Sequence, residues 1–150
     1  MSDLSLNQQV IAEFRANGGR VGGYLEGALV VLVHHRGRLS GSEYVHPVVY
    51  LADADGHDTI YVFATNSGAL SNPDWYRNLV ASGEGAVELG SETYPVSVRE
   101  LTGAERERIY EEQARRNPVL AEYTQKAAGV RAIPVLALTR QAAKPRPRTG

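Results

Sequence analysis

Residues 28–51 read ALVVLVHHRGRLSGSEYVHPVVYL, and this stretch decides the fold class. Ala28–Val33 is a continuous apolar run, rich in β-branched residues, which is typical of a buried strand. Arg36–Ser42 is rich in glycine, serine and arginine and predicts a turn. Tyr44–Leu51 is again β-branched and aromatic and predicts a second strand. Two strands joined by a short turn indicate an antiparallel hairpin and not a βαβ unit.

The sequence on both sides of this hairpin extends the pattern. On the N-terminal side, the segment from about Ser5 to Asn17 carries its apolar residues on one helical stripe, and Gly18 and Gly19 end the predicted helix. On the C-terminal side, Asp53–Gly56 has the composition of a hairpin loop. Thr59–Ala64 then predicts a third strand, so the first half combines one helix with a three-stranded meander.

A short helix is predicted after the polar stretch that follows the third strand. Asn72 is its expected N-cap, and Pro73 stands in the first turn, where proline is tolerated. The inward-facing side chains of this helix are predicted to be those of Trp75, Leu79 and Val80. This helix separates the first three strands from the second half of the chain.

Two more helices and three more strands complete the prediction. Thr102–Glu105 has the spacing of a capping box, which opens a charged helix to about Arg116. Asn117 and Pro118 are expected to cap a second short helix. The remaining strands are predicted at Ala86–Leu89, Thr93–Leu101 and Ile133–Leu138.

This order of elements predicts a mainly β protein with flanking helices, that is an α+β fold, with about six antiparallel strands. Strands joined by short turns, without regular crossover helices, are compatible with a small closed or partly open barrel. We see no internal repeat and no linker, so we expect a single domain over residues 1–139. Residues 140–150 hold four basic residues, two prolines and no acid, which predicts a disordered basic tail.

Composition and motifs exclude several classes of function. The chain of 150 residues has no cysteine, which removes disulfides, thiolate metal sites and cysteine nucleophiles and suits a reducing compartment. It carries no Rossmann or Walker phosphate-binding motif. His34 and His35 point to opposite faces of a strand, so they cannot chelate one metal ion together, and we expect no metal site.

The sequence also carries no sign of export or of a membrane span. Its first six residues lack the layout of a signal peptide, and no apolar run approaches the ~20 residues that a span needs. We therefore expect a cytoplasmic protein without stable membrane insertion. The basic tail permits at most a weak peripheral association with anionic surfaces, and nucleic acid is not an expected partner.

Three separate signals indicate a ligand site. The turn at 36–42 supplies two arginines, two hydroxyl groups and two glycines, a composition suited to a phosphate, although such turns are also common on solvated hairpins. Ala64–Gly68 is small and polar and lets a ligand approach the backbone closely. Trp75 and Asn78 share one helix face. The alternative for this last pair is a core tryptophan and a capping asparagine.

Taken in order, these features resemble the deazaflavin-dependent nitroreductase family, which includes F420H2-dependent quinone reductases. The resemblance covers nearly the whole chain, from about Val10 to Leu138. The matching segments are Glu13–Gly23 (EFRANGGRVGG), Gly37–Gly41 (GRLSG), His46–Tyr50 (HPVVY), Asn72–Ala81 (NPDWYRNLVA), Tyr123 after Asn117-Pro118, and Arg131–Val135 (RAIPV).

The resemblance implies a split β-barrel similar to flavin-binding barrels, with reduced coenzyme F420 as the donor of a hydride to a small conjugated acceptor. Quinones, nitroaromatics and activated alkenes are the implied acceptors. Tyr123 matches a tyrosine that borders the acceptor pocket and is the candidate catalytic residue, with Tyr123 or solvent as the expected source of a proton for the reduced acceptor. With Arg36 added from the turn, the candidate cofactor-binding residues are Arg36, Arg38, Ser40, Gly41, His46, Pro47, Val48, Ala64, Thr65, Asn66, Trp75, Asn78 and Leu79.

The chain also departs from the family pattern. Relatives carry further basic residues around the turn and in the small polar loop, where this chain has Leu39, the pair Glu43-Tyr44, and Asn66 or Ser67. Arg36 is expected to compensate in part. Two alternatives stay open: the same barrel with FMN as cofactor, or a flavin- or deazaflavin-binding protein without turnover. The expected partner is a small-molecule substrate, and the protein is expected to be a monomer or a homodimer.

Overall fold

The computed structural model describes residues 6–21, 29–53, 58–65, 72–128 and 132–141. The elements follow the predicted order of one helix, three strands, a short helix, two strands, two helices and a last strand. In chain order they are α1 (Leu6–Ala16), β1 (Val30–Arg36), β2 (Glu43–Ala52), β3 (Thr59–Phe63), α2 (Asp74–Ser82), β4 (Glu84–Leu89), β5 (Glu92–Glu100), α3 (Gly103–Arg116), α4 (Val119–Ala127) and β6 (Val135–Arg140).

In this part of the chain, the strands form a closed antiparallel barrel in the order β1-β2-β3-β6-β5-β4. Three of the strand pairs join neighbours in sequence, as the hairpin patterns predict. The other pairs, β3 with β6, β5 with β6 and β1 with β4, join distant strands and close the barrel. The predicted mainly β class with about six antiparallel strands is confirmed.

The two faces of β1 belong to two different apolar clusters, as expected from the alternation of side chains along a strand. Val31 and Val33 face the barrel interior, where Val62 and Leu136 belong to the same fully buried core. Val30 and Leu32 face outward and pack with Phe14 of α1. Because burial of one such side chain contributes roughly 1.5–3 kcal/mol, both faces anchor β1 firmly in the fold.

The helices α3 and α4 cover the outer face of β3 and β6. Ile109 and Leu120 from these helices pack with Tyr61, Phe63 and Val135 in a second cluster outside the barrel. The two helices therefore form a wall beside the strands, whereas α2 contacts β1, β4 and β5 and packs Trp75 and Leu79 against the barrel interior.

Two predicted helix starts are wrong in detail. Pro73, not Asn72, occupies the N-cap of α2, and its extended backbone makes no side-chain capping bond. Thr102 is the N-cap of α3, but the capping box does not form. The Glu105 carboxylate instead accepts two hydrogen bonds from Arg99 of β5, at 2.8 and 3.0 Å. Arg99 of β5, which lies outside the local sequence pattern, thus binds the Glu105 carboxylate that a capping box would need.

Other boundaries shift where tertiary contacts extend an element. Arg36, predicted in the turn, is the last residue of β1. Arg140, predicted to begin the tail, ends β6, and its backbone N–H donates to the carbonyl of Asp58 at 2.9 Å. Residues 142–150 lie outside the described residues. Val80, predicted to face inward, is 44% exposed, whereas Trp75 and Leu79 are buried as expected. None of the helices described here is long and apolar enough to cross a membrane.

Candidate functional site

A groove of about 1580 Å³ runs along β2 from the β1–β2 turn to the wall formed by α3 and α4. Its position follows from strand pairing. β2 pairs with β1 at every position from Glu43 to Val49, but with β3 only over residues 50–52. Pro47, which has no N–H to offer a neighbouring strand, stands in the stretch paired on one side alone, where proline is tolerated. The strand order is closed, but β2 is unpaired on its β3 side before residue 50, and the groove lies along this unpaired stretch.

The turn at 37–42 forms the polar end of the groove. Two backbone hydrogen bonds of 2.8 Å close it, from Gly37 N–H to the Ser42 carbonyl and from Gly41 N–H to the Gly37 carbonyl. Gly41 has a φ of +73°, a conformation that a side chain would strain. The Ser42 N–H donates to Ser40 Oγ at 3.2 Å. The turn is thus rigid and presents Arg38 and Ser40 to the groove.

Arg38 connects this turn to α2. Its backbone N–H and its Nη1 both donate to Asn78 Oδ1, at 3.2 and 2.9 Å, and its Nη2 lies 3.7 Å from an oxygen of Asp74. On the other side, Nδ2 of Asn78 lies 2.9 Å from Nδ1 of His35. Asn78 and His35 are only 4% and 8% exposed. A buried polar chain therefore joins the turn, α2 and β1 at this end of the groove.

Aromatic rings line the middle of the groove. The rings of His46 and Trp75 lie with centroids 6.4 Å apart, and the His35 ring stacks on Tyr44 at 5.6 Å. Burial lowers the pKa of His46. Burial, together with the nearby His46, lowers the pKa of His35 to about 4. Both imidazoles are therefore neutral near pH 7, and this section has flat walls without an imidazolium charge.

The end of the groove at α3 and α4 is mostly apolar. Leu51, Phe63 and Leu120 line it together with Gln113 and Tyr123. Gln113 is 5% exposed, and no hydrogen bond to its carboxamide is found among the described residues. Among the described residues, every fully buried side-chain nitrogen or oxygen has a hydrogen-bond partner. Because the Gln113 carboxamide has none, it is not fully enclosed and opens into the groove. This end therefore combines apolar walls with the neutral polar groups of Gln113 and Tyr123. Arg116 and Asn117, at the end of α3, also line the groove.

The structure brings most of the predicted site residues to this one groove. They come from the turn, β2, the segment after β3, α2 and α4, which are far apart in sequence. The predicted residues that line the groove are Arg38, Ser40, His46, Pro47, Val48, Thr65, Trp75, Asn78 and Tyr123.

Five predicted residues are placed elsewhere or cannot be placed. Ala64 and Leu79 are fully buried in the barrel core, and Gly41 shapes the turn without lining the groove. Arg36 is exposed and lies 3.3 Å from Glu43, so its charge is already paired. It does not line the groove, and the expected compensation for missing cations does not come from this residue. Asn66 lies outside the described residues.

Among the lining residues that the sequence did not predict are two neutral polar side chains, His35 and Gln113, and two cations, Arg77 and Arg116. His35 lies on the inner face of β1, and the alternation of side chains along this strand is the sequence signal that points to it. Gln113 and Arg116 lie on α3, whose charged sequence gives no hint of a ligand surface. Arg77 lies between Trp75 and Asn78 in sequence and lines the groove without an acidic partner among the described residues. Arg77 adds a cation on α2, next to Asn78 in sequence, and Arg116 adds one at the end of α3, where its Nε donates to Glu112 at 2.8 Å.

No group of three or more metal-ligating side chains is found in the part of the chain that the structure describes. The geometry instead suits an elongated organic ligand. Arg38 and Arg77 suit an anionic group at one end, the aromatic middle suits a flat ring system, and the α3–α4 end suits a second, largely apolar molecule.

Comparison with known proteins gives one family and a consistent set of relatives. The family of F420H(2)-dependent quinone reductases matches residues 6–140. Rv3178 of Mycobacterium tuberculosis, a protein named for that activity, is 32% identical over 88 residues, which cover 59% of this chain and 71% of the relative.

Solved structures agree in fold. An F420-H2 dependent reductase, FDR-A, has 29% identity and a TM-score of 0.64, over 73% of this chain and 92% of its own. A protein described as a domain-swapped dimer has 27% identity and a TM-score of 0.66, over 87% of this chain and 92% of its own.

Proposed function

Because this chain belongs to the F420H(2)-dependent quinone reductase family, it is an oxidoreductase that uses coenzyme F420, and we propose that its acceptor is a quinone. When bound, the reduced deazaflavin supplies the hydride. The side chains of the groove then have three tasks: to hold the coenzyme, to orient the acceptor, and to supply a proton to the reduced acceptor.

The residues present fit this coenzyme. Its anionic tail requires donors and positive charge, which Arg38, Ser40 and Arg77 offer at the turn end of the groove. Its flat ring system requires an apolar, aromatic wall, which Trp75 and the neutral His46 offer beside β2. Arg38 is held in place by Asn78 before any ligand arrives, so less conformational freedom is lost on binding.

The α3–α4 end supports a quinone as acceptor. Phe63 and Leu120 give apolar contact to a ring, and Gln113 and Tyr123 bring a carboxamide and a phenol to the same end. A quinone carries carbonyl oxygens that accept hydrogen bonds from both groups, whereas an activated alkene offers fewer acceptors. Hydride addition turns a quinone carbonyl into an oxyanion, and the Tyr123 hydroxyl is the candidate proton donor to that oxygen. Nitroaromatics and activated alkenes are proposed as slower acceptors.

One observation carries this proposal: one groove connects a cationic turn to a mostly apolar end where Gln113 and Tyr123 offer neutral hydrogen-bonding groups. The test is a parallel titration of the purified protein with oxidised F420 and with FMN. Reduced F420 is then mixed with menadione, a nitroaromatic or an activated alkene, and its oxidation is followed by absorbance. We expect micromolar binding of F420, weaker binding of FMN, and the fastest oxidation with menadione.

Tyr123→Phe provides the site-level arm of this experiment, with Tyr110→Phe outside the groove as the matched control. We expect Tyr123→Phe alone to lower the turnover number about tenfold, with an unchanged Kd for F420, because general acid catalysis typically contributes this much or more. Binding of F420 without oxidation by any acceptor identifies a binding protein without turnover. Absence of F420 binding, or release of FMN from the purified protein, overturns the assignment of the coenzyme.

A further inference from the structure

The buried chain Arg38–Asn78–His35 has a defined direction. Asn78 Oδ1 accepts from the backbone N–H and from Nη1 of Arg38, and a guanidinium can only donate. A flipped carboxamide would place its NH2 group against two donors, so this orientation is excluded. The Asn78 NH2 group therefore faces His35 and donates to Nδ1 across 2.9 Å.

This contact selects one tautomer of His35. An imidazole nitrogen that accepts a hydrogen bond carries no proton, so the proton of the neutral ring lies on Nε2. Burial and the neighbouring His46 keep the ring neutral by lowering its pKa to about 4, His34 acts in the same direction, and Asp74 opposes this shift. The Tyr44 ring stacks on the imidazole, with centroids 5.6 Å apart.

The Nε2–H group of His35 has no partner within the described residues. Its residue is 8% exposed and lines the groove. No buried side-chain nitrogen in that part of the chain is left without a partner. The Nε2 atom therefore reaches the open space of the groove. A donor that is fixed in position by its own neighbours and directed at a ligand cavity is preorganised for a ligand oxygen.

We propose that His35 is a further coenzyme-binding residue, which donates a hydrogen bond from Nε2–H to an oxygen of the bound F420. Arg38 and Asn78 are the positioning residues that fix this tautomer. The proposal rests on the proposed function for the identity of the ligand, but the tautomer itself is a property of the protein alone. His35 acts here as a neutral donor and transfers no proton, because a neutral imidazole does not release its Nε2 proton near neutral pH.

The first test uses NMR on protein labelled with 15N at histidine, without coenzyme. We expect the His35 ring, identified by its absence in His35→Gln, to show a protonated Nε2 and an unprotonated Nδ1 at pH 7. Addition of F420 is expected to shift the Nε2–H resonance. A proton on Nδ1, or a charged ring, overturns the inference whether or not the protein binds F420.

The second test compares His35→Asn with His35→Gln. The amide of asparagine reaches the position of Nδ1, so it keeps the Asn78 contact and loses the groove donor; the amide of glutamine reaches the position of Nε2 and keeps that donor. We expect His35→Asn to weaken F420 binding about 5- to 10-fold and His35→Gln to stay within about 3-fold of the wild type. Circular dichroism and urea unfolding confirm that both variants fold.

A deazaflavin without the phosphate and tail, titrated in parallel, identifies the oxygen. A loss in His35→Asn with both probes assigns a ring or ribityl oxygen, and a loss with F420 alone assigns a phosphate or tail oxygen. Equal affinity of His35→Asn and the wild type for both probes overturns the inference. If the wild type itself binds no F420, the proposed function fails, and the NMR result still decides the tautomer.

Discussion

His34 and His35 are consecutive residues of β1, but their side chains lie on opposite faces of the barrel wall. Each is the last member of a different series of hydrogen-bonded side chains that begins at an arginine. On the outer face, Glu88 accepts two hydrogen bonds from Arg15 of α1, at 3.0 and 2.7 Å, and lies 2.7 Å from Nε2 of His34. On the inner face, Asn78 takes the central position between Arg38 and His35. We call these two groups the outer triad and the inner triad.

The difference between the triads lies in the central residue. A carboxylate in the outer triad attracts positive charge, and the hydrogen bonds from Arg15 lower the pKa of Glu88. This arrangement ties α1 to β1 and β4 and serves the fold. A carboxamide in the inner triad adds no charge, so His35 stays neutral beside the groove. The same two residue types, arginine and histidine, thus connect elements of the fold on one face and, in our proposal, bind the ligand on the other.

The largest effect on F420 binding is expected when Asn78, the central residue of the inner triad, is replaced by a carboxylate like that of Glu88 in the outer triad. Asn78→Asp places a carboxylate against Nδ1 of His35, which favours a proton on Nδ1 and raises the pKa of the ring. The groove also gains a negative charge next to Arg38. We expect F420 binding to weaken about 30-fold near pH 7, equivalent to about 2 kcal/mol. Coenzyme titration measures the affinity, and histidine NMR measures the pKa.

Asn117→Asp is the matched control for this substitution. It adds the same charge to the same groove, at the C-cap of α3, where no contact with the inner triad is found among the described residues. We expect its effect on F420 binding to be no more than about 3-fold at 0.15 M salt, because charges further apart than a Debye length of about 8 Å are largely screened. Equal losses in both variants would mean that the charge of the groove, not the state of His35, controls affinity.

The converse exchange, Glu88→Gln, gives the outer triad a neutral centre. Glu88 is mostly covered, with 14% of its side chain exposed, whereas Arg15 is half exposed. Loss of hydrogen bonds to a charged group then costs about 1–2 kcal/mol of unfolding free energy. F420 affinity is expected to stay unchanged. Urea unfolding measures the loss, and Glu84→Gln, an exposed glutamate on the same strand, is the control. A weaker affinity of Glu88→Gln for F420 would mean that the outer triad also affects coenzyme binding, which contradicts the division of roles between the two faces of β1.

Much of the fold is predictable from the sequence because its hairpins are local. The strand pattern around the Arg36–Ser42 turn gives β1 and β2 in their correct order, and the α+β class follows. The closure of the barrel is not predictable in this way, because β1–β4 and β3–β6 pairs depend on strands far apart in sequence. The failed capping box shows the same limit: Glu105 satisfies a local pattern but is bound by Arg99 of another element.

The residues of the candidate site show the same difference between local patterns, which are predictable, and long-range contacts, which are not. Arg38, Trp75 and Asn78 lie in short motifs whose composition already indicates a ligand, and the structure places all three on the groove. His35 and Gln113 carry no such local signal. Both side chains line the groove only because β1, α2 and α3 come together in the fold. Whether one face of a strand or helix lines a groove depends on the elements that pack against it. Sequence reasoning therefore finds residues in distinctive turns more readily than single polar residues on regular elements.

The smallest expected effect is on the pH dependence of stability. It is also the sharpest test of whether His35 on the inner face or the outer triad causes this dependence. The folded pKa of His35 is about 4 and its ordinary value is 6.5. Between these values the unfolded chain binds more protons than the folded one, so stability falls as pH falls. The burial of His46 acts in the same direction. From pH 7 to 5.5 we expect a loss of about 1 kcal/mol from His35.

His35→Gln should remove that part of the slope and retain the part due to His46. Glu88→Gln should leave the slope unchanged over this range, because a carboxylate with a lowered pKa loses its contribution only at more acidic pH. Urea unfolding at closely spaced pH values measures all three proteins. A slope that disappears in Glu88→Gln and persists in His35→Gln would assign the titration to the outer triad, and the division of roles between the two faces of β1 would then be reversed.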